Sequence, residues 1–173
     1  MTVTVFVGTS VDGFIARPNG DLDFLPEAPE DHGYEAFYAS VDAVVTGRNT
    51  YEKVLTFGSW AYGKKRVVIL SHQPLDFSAL KGAVVEQMDG EPKDIVARLA
   101  ATGAKNLYVD GGITVQRFLR AGLVDRLIVT RVPVLIGQGI PLFGPLDGDI
   151  RLRHVATRDF PSGLVQSEYE VVR

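Results

Sequence analysis

Short apolar segments rich in valine and isoleucine alternate with segments of helical period, and this alternation restricts the fold more than any other feature. Segments such as "DAVVTG" at 42–47 and "RVVIL" at 66–70 are apolar on both faces, which is typical of strands inside a parallel sheet. The predicted strands are 2–8, 42–47, 66–70, 82–86, 106–112 and 126–137, and the predicted helices are 30–40, 49–55, 91–103 and 114–122. The expected class is α/β, with helices covering a mostly parallel sheet.

The end of the chain follows a different pattern. Residues 150–160 and 164–173 have strand character and are joined by Pro161-Ser162-Gly163, a short connection that predicts an antiparallel hairpin. The sheet is therefore expected to be mixed, with an antiparallel end. The 173 residues are 46% hydrophobic and contain no linker or low-complexity tract, so we expect one domain over 1–173.

Composition excludes several functional classes. The formal net charge of -3 is spread without a basic stripe, which disfavours nucleic acid as a partner. The absence of cysteine excludes disulfides and thiol chemistry, and the three histidines have no metal-ligand spacing, so no metal site is expected. No basic leader is present and no apolar stretch approaches the roughly 18 residues of a membrane span, so the expected location is the cytoplasm.

Strand-to-helix junctions carry the strongest functional signal. At 46–52, "TGRNTYE" opens a predicted helix whose first N–H groups lack intrahelical partners, and Arg48 and Thr50 add a cation and a hydroxyl group suited to phosphate. A second predicted strand ends in Ser71 and His72. Because ligands of open α/β sheets lie beyond the carboxyl ends of the strands, these residues favour a phosphate-bearing ligand.

The third junction is the stretch "LYVDGGITVQRFL" at 107–119. Gly111 and Gly112 leave no Cβ atom between the strand end and a ligand above it. Each junction also has an ordinary explanation: a helix cap at Asn49 or Thr50, a solvated turn before Pro74, or a turn that needs a positive φ angle. The dinucleotide fingerprint G-x-G-x-x-G is absent, and "GSWAYGKK" at 58–65 has lysine where a P-loop needs a hydroxyl group.

The order of these motifs resembles the dihydrofolate reductase superfamily. The motifs are "SVDGFIA", "TGRNTYE", "VVILS", "DGGITVQRFL" and "GLVDRLIVTRVPVLIGQGIPLF". The last of them is most similar to the reductase domain of the bifunctional riboflavin-biosynthesis deaminase–reductase and its stand-alone relatives. The resemblance implies a dihydrofolate reductase-like mixed sheet, an NADPH-dependent reductase and a homodimer.

The resemblance also implies where NADPH binds. Residues 9–25 would form a strand end and a loop that closes over the nicotinamide. Arg48, Ser71 and His72 would lie near the 2′-phosphate, and the peptide between Gly111 and Gly112 would be cis, as in dihydrofolate reductases. The residues expected at the cofactor are Ser10, Asp12, Gly13, Ile15, Thr46, Gly47, Arg48, Asn49, Thr50, Ser71, His72, Gly111, Gly112, Ile113, Thr114 and Val115.

The substrate side has fewer matching residues. Asp31 is the catalytic candidate, at the place where dihydrofolate reductases carry an acid, with Glu27 and Glu30 as alternatives and a helix N-cap as the structural explanation. The implied substrate is a small heterocycle, ribosylaminopyrimidine-like or pterin-like. Two other readings stay open: a non-catalytic NADPH-binding module with a regulatory or resistance role on the same fold, and an unrelated α/β domain.

Overall fold

A computed structural model describes residues 1–27 and 30–173. The strands are β1 Thr2–Ser10, β2 Phe14–Ala16, β3 Ala43–Gly47, β4 Arg66–Leu70, β5 Val84–Met88, β6 Asn106–Asp110, β7 Arg126–Val132, β8 Ile140–Pro141, β9 Leu152–Asp159 and β10 Val165–Val171. The helices are α1 Tyr34–Ser40, α2 Arg48–Leu55, α3 Pro92–Ala101 and α4 Gly112–Arg120. Within the described ranges, no helix is long and apolar enough to cross a membrane.

One sheet of 8 strands organises the molecule, in the order β5-β4-β3-β6-β1-β7-β10-β9. β1 pairs in parallel with both β6 and β7, and β3, β4 and β5 continue the parallel part. β10 runs antiparallel to β7 and to β9. The predicted mixed sheet with an antiparallel end is confirmed, and β2 and β8 add a separate two-stranded ribbon.

Two hydrophobic layers cover the sheet because successive strand residues face opposite sides. Along β6, Leu107 and Val109 pack in the layer that contains α3 and α4, whereas Tyr108 packs in the layer with α1 and α2. Phe118 of α4 is completely buried in the first layer, and Tyr51 of α2 is buried in the second. The carboxyl ends of the parallel strands are thereby fixed at one edge of the sheet.

Several predicted boundaries were wrong by a few residues. The predicted strand 126–137 ends at Val132, because Pro133 has no N–H group to donate to a neighbouring strand. The helix predicted over 30–40 begins only at Tyr34, after Gly33 with a φ of 86°. The strand predicted at 82–86 lies at 84–88, because Gly82 takes a positive φ in the preceding turn.

The predicted cis peptide between Gly111 and Gly112 was wrong, because that bond is trans. The turn from β6 into α4 is made instead by a φ of 92° and a ψ of 136° at Gly111. Glycine reaches a positive φ without the steric penalty of a Cβ atom. A Cβ atom at this position would also lie 2.6 Å from Thr50 Oγ1, so both the backbone angle and the packing require glycine.

Candidate functional site

The amino-terminal ends of α2 and α4 meet above the carboxyl ends of β3 and β6. In the sheet register Thr46 lies beside Asp110, which places the first and third predicted junctions next to each other. A Cβ atom on Gly47 would lie 2.9 Å from Thr114 Oγ1, so the two helix starts approach as closely as glycine permits. The unpaired N–H groups of both first turns therefore open toward the same small volume.

Thr46 carries a hydroxyl group without a partner in this volume. Its side chain is completely buried, and its Oγ1 atom has no hydrogen-bond partner among the described residues. The same atom lies 3.5 Å from the position of a Cβ atom on Gly111. Leaving a buried hydroxyl group unpaired costs about 1–3 kcal/mol, so such a group in a native protein calls for an explanation.

Arg48 is directed from the start of α2 toward the end of β4. Its Nε atom lies 3.0 Å from Glu52 Oε1, and its Nη1 atom donates a hydrogen bond to Gln73 Oε1. Ser71 lies just after β4, two residues before Gln73. Its hydroxyl group accepts a hydrogen bond from Gln73 N at 3.1 Å and donates one to Gln73 O at 2.8 Å. Gln73 thus links Arg48 and Ser71, two of the residues predicted to bind the 2′-phosphate, and Arg48 is a half-buried cation.

His72 lies apart from this arrangement. Its side chain is 80% exposed, and its Nδ1 atom contacts Asp89 Oδ1 at 2.6 Å. The hydrogen bond from His72 holds the pKa of Asp89 below its usual range. His72 would reach a 2′-phosphate only after leaving Asp89.

The loop after β1 is fixed by hydrogen bonds to Ser10 and Asp12. Ser10 Oγ accepts a hydrogen bond from Phe14 N at 3.0 Å. The Asp12 carboxylate accepts from Gly137 N at 2.8 Å and from Ile136 N at 3.3 Å. A hydrogen bond from Ser10, together with these N–H groups, lowers the pKa of Asp12. Asp12 therefore ties this loop to the segment before β8.

The ribbon of β2 and β8 packs on the first residue of α4. A Cβ atom on Gly112 would lie 3.1 Å from Ile15 Cδ1 and 2.9 Å from Ile140 Cγ2. Ile113 is exposed, whereas the Val115 side chain is completely buried in the core. The ribbon thus brings Ile15 and Gly112 together by packing, and Val115 contributes to the core.

The three acidic candidates near α1 are exposed or already hydrogen-bonded to other parts of the chain. Asp31 is exposed, and its Oδ1 atom accepts from Gly33 N at 2.8 Å. The N-cap of α1 is Gly33, so the N-cap explanation of Asp31 was wrong. Glu30 accepts two hydrogen bonds of 2.9 Å from Ser162 N and Oγ in the C-terminal hairpin turn. Glu27 is also exposed.

Asp110 is the acidic residue that the sequence analysis missed. It ends β6 directly before Gly111, whose N–H group donates to Asp110 Oδ1 at 2.8 Å. Burial raises the pKa of Asp110 to about 6, and the hydrogen bond from Gly111 only partly offsets this effect. The motif "YVDGG" contained a usable signal, because a carboxylate between a buried strand and paired glycines lies at the ligand-binding edge of the sheet.

Three tyrosines lie within electrostatic reach of Asp110. Burial is the largest cause that raises the pKa of Tyr34 to about 12, and the Asp110 carboxylate adds to it. The same two causes raise the pKa values of Tyr62 and Tyr108. Tyr108 is buried, and its hydroxyl group donates to Phe6 O at 3.0 Å. These phenols stay neutral near pH 7, so Asp110 is the titratable group of the arrangement.

Sequence and structure comparisons relate this chain to known proteins. A family model described as the RibD C-terminal domain matches residues 1–166. The uncharacterized protein YwjB of Bacillus subtilis (strain 168) is 34% identical over 161 residues, which cover 90% of this chain and 90% of YwjB. The crystal structure of a Shewanella sp. PV-4 protein, provisionally assigned to riboflavin biosynthesis, superposes with a TM-score of 0.92 at 37% identity over 100% of both chains.

The fold extends to a more distant group. Dihydrofolate reductase from Enterococcus faecalis, in a complex with NADP(H) and RAB-propyl, superposes with a TM-score of 0.67 at 14% identity. The match covers 99% of this chain and 97% of that enzyme. The dihydrofolate reductase-like fold expected from the motifs is confirmed.

Proposed function

Because this chain belongs to the RibD C-terminal domain family, we propose that it is an NADPH-dependent reductase that transfers a hydride to a small heterocyclic substrate. The substrate class is ribosylaminopyrimidine-like or pterin-like. The observation that carries the proposal is the unpaired, buried hydroxyl group of Thr46 between the starts of α2 and α4. Because Thr46 has no exposed surface, a polar ligand atom would supply the missing partner only when the starts of α2 and α4 separate enough to expose its Oγ1 atom.

The chain offers a separate set of residues for each part of NADPH. The end of β3 and the first turn of α2, with Thr46, Gly47, Asn49 and Thr50, would hold the pyrophosphate through N–H and hydroxyl groups. Arg48 would bind the 2′-phosphate. On the other side, the residues that would line the cofactor are Gly111, Gly112, Ile113 and Thr114. The bound, reduced nicotinamide supplies a hydride to a substrate carbon.

Asp110 is the proposed proton donor. A hydride added to the carbon of a C=N or C=O bond leaves negative charge on the nitrogen or oxygen, which a nearby acid neutralises. The pKa of Asp110 is raised to about 6, so its protonated form is populated closer to neutral pH than that of an ordinary aspartate. Asp31 is less suited, because it is exposed to solvent.

The direct test is NADPH oxidation with dihydrofolate, a quinonoid pterin and the ribosylaminopyrimidine, together with the dissociation constant for NADPH. Turnover of any one substrate supports the reductase. Tight NADPH binding with no turnover of any of the three substrates favours the non-catalytic module. Absence of NADPH binding contradicts both functions.

We also propose a homodimer formed through the antiparallel end of the sheet. Every residue of β9 is exposed, including the apolar residues Leu152 and Val155. An exposed edge strand presents unpaired backbone groups and is usually covered or blunted in native proteins. Pairing of two copies along this edge would bury both side chains.

A further inference from the structure

The segment 15–21 runs from the start of α4 to the last turn of α2, and we call it the strap. At one end, Ile15 Cδ1 lies 3.1 Å from the position of a Cβ atom on Gly112, the first residue of α4. At the other end, the Asp21 carboxylate accepts a hydrogen bond from Lys53 Nζ in the last turn of α2. The strap therefore connects the two helices whose starts form the candidate site.

The α4 end of the strap is held by packing and by backbone pairing. Ala16 pairs with Ile140 across the ribbon of β2 and β8, and Ile140 Cγ2 lies 2.9 Å from the Cβ position on Gly112. Just before β2, Gly13 O accepts a hydrogen bond from Leu142 N at 3.0 Å. This end of the strap is thus fixed against the start of α4.

The middle of the strap is a closed turn. Arg17 N donates to Asp21 O, and Gly20 N donates to Arg17 O, both at 2.9 Å. The Asn19 side chain accepts from Asp21 N and donates to Asp21 Oδ2, both at 3.0 Å. Because these hydrogen bonds keep the turn from lengthening, a movement of α2 away from α4 must break either the turn or one end of the strap.

The contact between Asp21 and Lys53, which we call the clasp, is the part of the strap expected to yield first. The two side chains are 46% and 29% exposed, and solvent and salt weaken ion pairs that are in contact with water. Among the described residues, no other ion pair joins the strap to α2. The hydrogen bond from Lys53 is the largest cause that lowers the pKa of Asp21, so this carboxylate is ionised near pH 7.

A ligand can reach the candidate site only when the helix starts separate. A Cβ atom on Gly47 would lie 2.9 Å from Thr114 Oγ1, and the Thr46 hydroxyl group has no exposed surface. Asn49 and Lys53 are four residues apart, which makes them neighbours on one face of α2. The clasp therefore lies on the helix face that carries part of the proposed pyrophosphate site.

We propose that the clasp is an autoinhibitory contact, which holds the two helix starts together in the ligand-free protein and opens to admit NADPH. The proposal rests on the proposed reductase function and adds how its cofactor site is regulated. Lys53 is thus a positioning residue that acts through the strap. NADPH binds only the open state, so the observed dissociation constant is the intrinsic one divided by the open fraction. Weakening the clasp raises that fraction and strengthens binding.

The test is the rate of NADPH binding, measured by stopped-flow fluorescence on the full chain. Lys53→Met and Asp21→Asn should each raise the association rate constant about two- to fivefold, which is the range of effect of partly exposed ion pairs. The dissociation rate constant should stay unchanged, so the dissociation constant should fall by the same factor. An unchanged or lower association rate constant in either variant overturns the proposal.

The two variants also separate the clasp from electrostatic steering. NADPH is an anion, so steering alone predicts slower association without the Lys53 cation and faster association without the Asp21 carboxylate. The clasp predicts faster association in both variants, and opposite changes would contradict it. Faster dissociation in either variant would show that the clasp is closed in the NADPH complex, which also contradicts the proposal.

Further substitutions test the contact itself. Lys53→Arg keeps the cation and should bind NADPH at the wild-type rate. Asp21→Lys combined with Lys53→Glu reverses the ion pair and should also return the association rate constant to the wild-type value. A lysine that only complements the helix dipole in the last turn of α2 would not give this rescue. Association as fast as that of Lys53→Met in either of these proteins contradicts the proposal.

Glu86→Gln is the matched control, because Glu86 pairs with Arg66 at similar exposures of 38% and 26% and lies between β4 and β5. It should change neither rate constant, and an increase equal to that of Lys53→Met would show an unspecific effect and contradict the proposal. Normal NADPH binding with equal rate constants in all variants would refute only the clasp. Absence of NADPH binding by both the wild type and Lys53→Met would refute the reductase function, and the clasp with it.

Discussion

The N–H group of Gly111 donates to the carboxylate of Asp110 at 2.8 Å, so an acid and a glycine turn are fixed to one another where β6 enters α4. Gly111 has a positive φ, and this backbone turn holds the carboxylate within electrostatic reach of Tyr34, Tyr62 and Tyr108. The same glycine leaves room for Thr50 and for the unpaired hydroxyl group of Thr46. In the proposed function, the residues for the cofactor and the acid therefore lie on two sides of one turn.

The first prediction concerns catalysis by Asp110. We expect Asp110→Asn to lower kcat by about 100-fold or more, which is typical for the loss of a general acid. In the wild type, kcat should fall as the pH rises through about 6, because the protonated acid is the active form. In the variant, kcat should not show this decrease near pH 6. A pH profile of kcat checks both, and an unchanged profile in the variant would assign the proton to another group.

The second prediction concerns stability at the same residue. The folded-state pKa of about 6 is above the ordinary value of 3.8, so the folded state binds the proton more tightly than the unfolded state. Stability should therefore decrease as the pH rises from about 4 to about 6, and the loss should remain above that range. Asp110→Asn should be more stable than the wild type at pH 7, by at most about 3 kcal/mol, and similar below pH 4. Urea unfolding across this range measures the difference.

Thr46→Val is expected to separate binding from folding. Valine keeps the shape of threonine and removes a hydroxyl group that has no partner, so the free energy of unfolding should stay equal or rise by about 1 kcal/mol. NADPH affinity should fall roughly tenfold, which corresponds to one lost hydrogen bond. The control is Thr4→Val, because Thr4 is also a buried threonine but lies near the start of β1, away from the helix starts. It should leave NADPH affinity unchanged. Equal NADPH affinity in the wild type and Thr46→Val would contradict the assigned role.

Gly111→Ala is expected to disturb both the turn and the cofactor site. The new Cβ atom would lie 2.6 Å from Thr50 Oγ1, in addition to the strain of a positive φ. Gly122 provides the control, because it has a φ of 66° and no atom within 4 Å of a Cβ position. Thermal unfolding should show a larger loss for Gly111→Ala, of about 2 kcal/mol or more against about 1 kcal/mol for Gly122→Ala. Thr50→Ala should restore part of the stability.

Arg48→Ala tests the assignment of the 2′-phosphate. The guanidinium group is half-buried and already oriented by Glu52 and Gln73, so its loss should weaken NADPH about tenfold or more and NADH only slightly. Arg120→Ala, at an exposed position in the last turn of α4, should change neither. Equal losses for the two cofactors would remove Arg48 from the 2′-phosphate.

Leu152→Lys together with Val155→Lys tests the homodimer. Both apolar residues are exposed on the edge strand β9, and two lysines there would oppose pairing of two edges. Sedimentation should give a dimer for the wild type and a monomer for the double variant. A monomeric wild type would contradict the dimer.

The sequence by itself determined the eight strands of the main sheet, the four helices, the antiparallel end and the three junctions, but not the ribbon of β2 and β8. The predicted elements depend on local periodicity and on glycine, proline and polar residues at strand ends. The boundaries near Gly33 and Gly82 follow from glycine turns with a positive φ, and the end of β7 follows from Pro133; apolar periodicity alone shows neither. Only the tertiary structure decided which acid lies in the site. Asp31 and Asp110 are equally acidic in the sequence, but the raised pKa of Asp110 arises from burial between strands and helices that are distant in the chain.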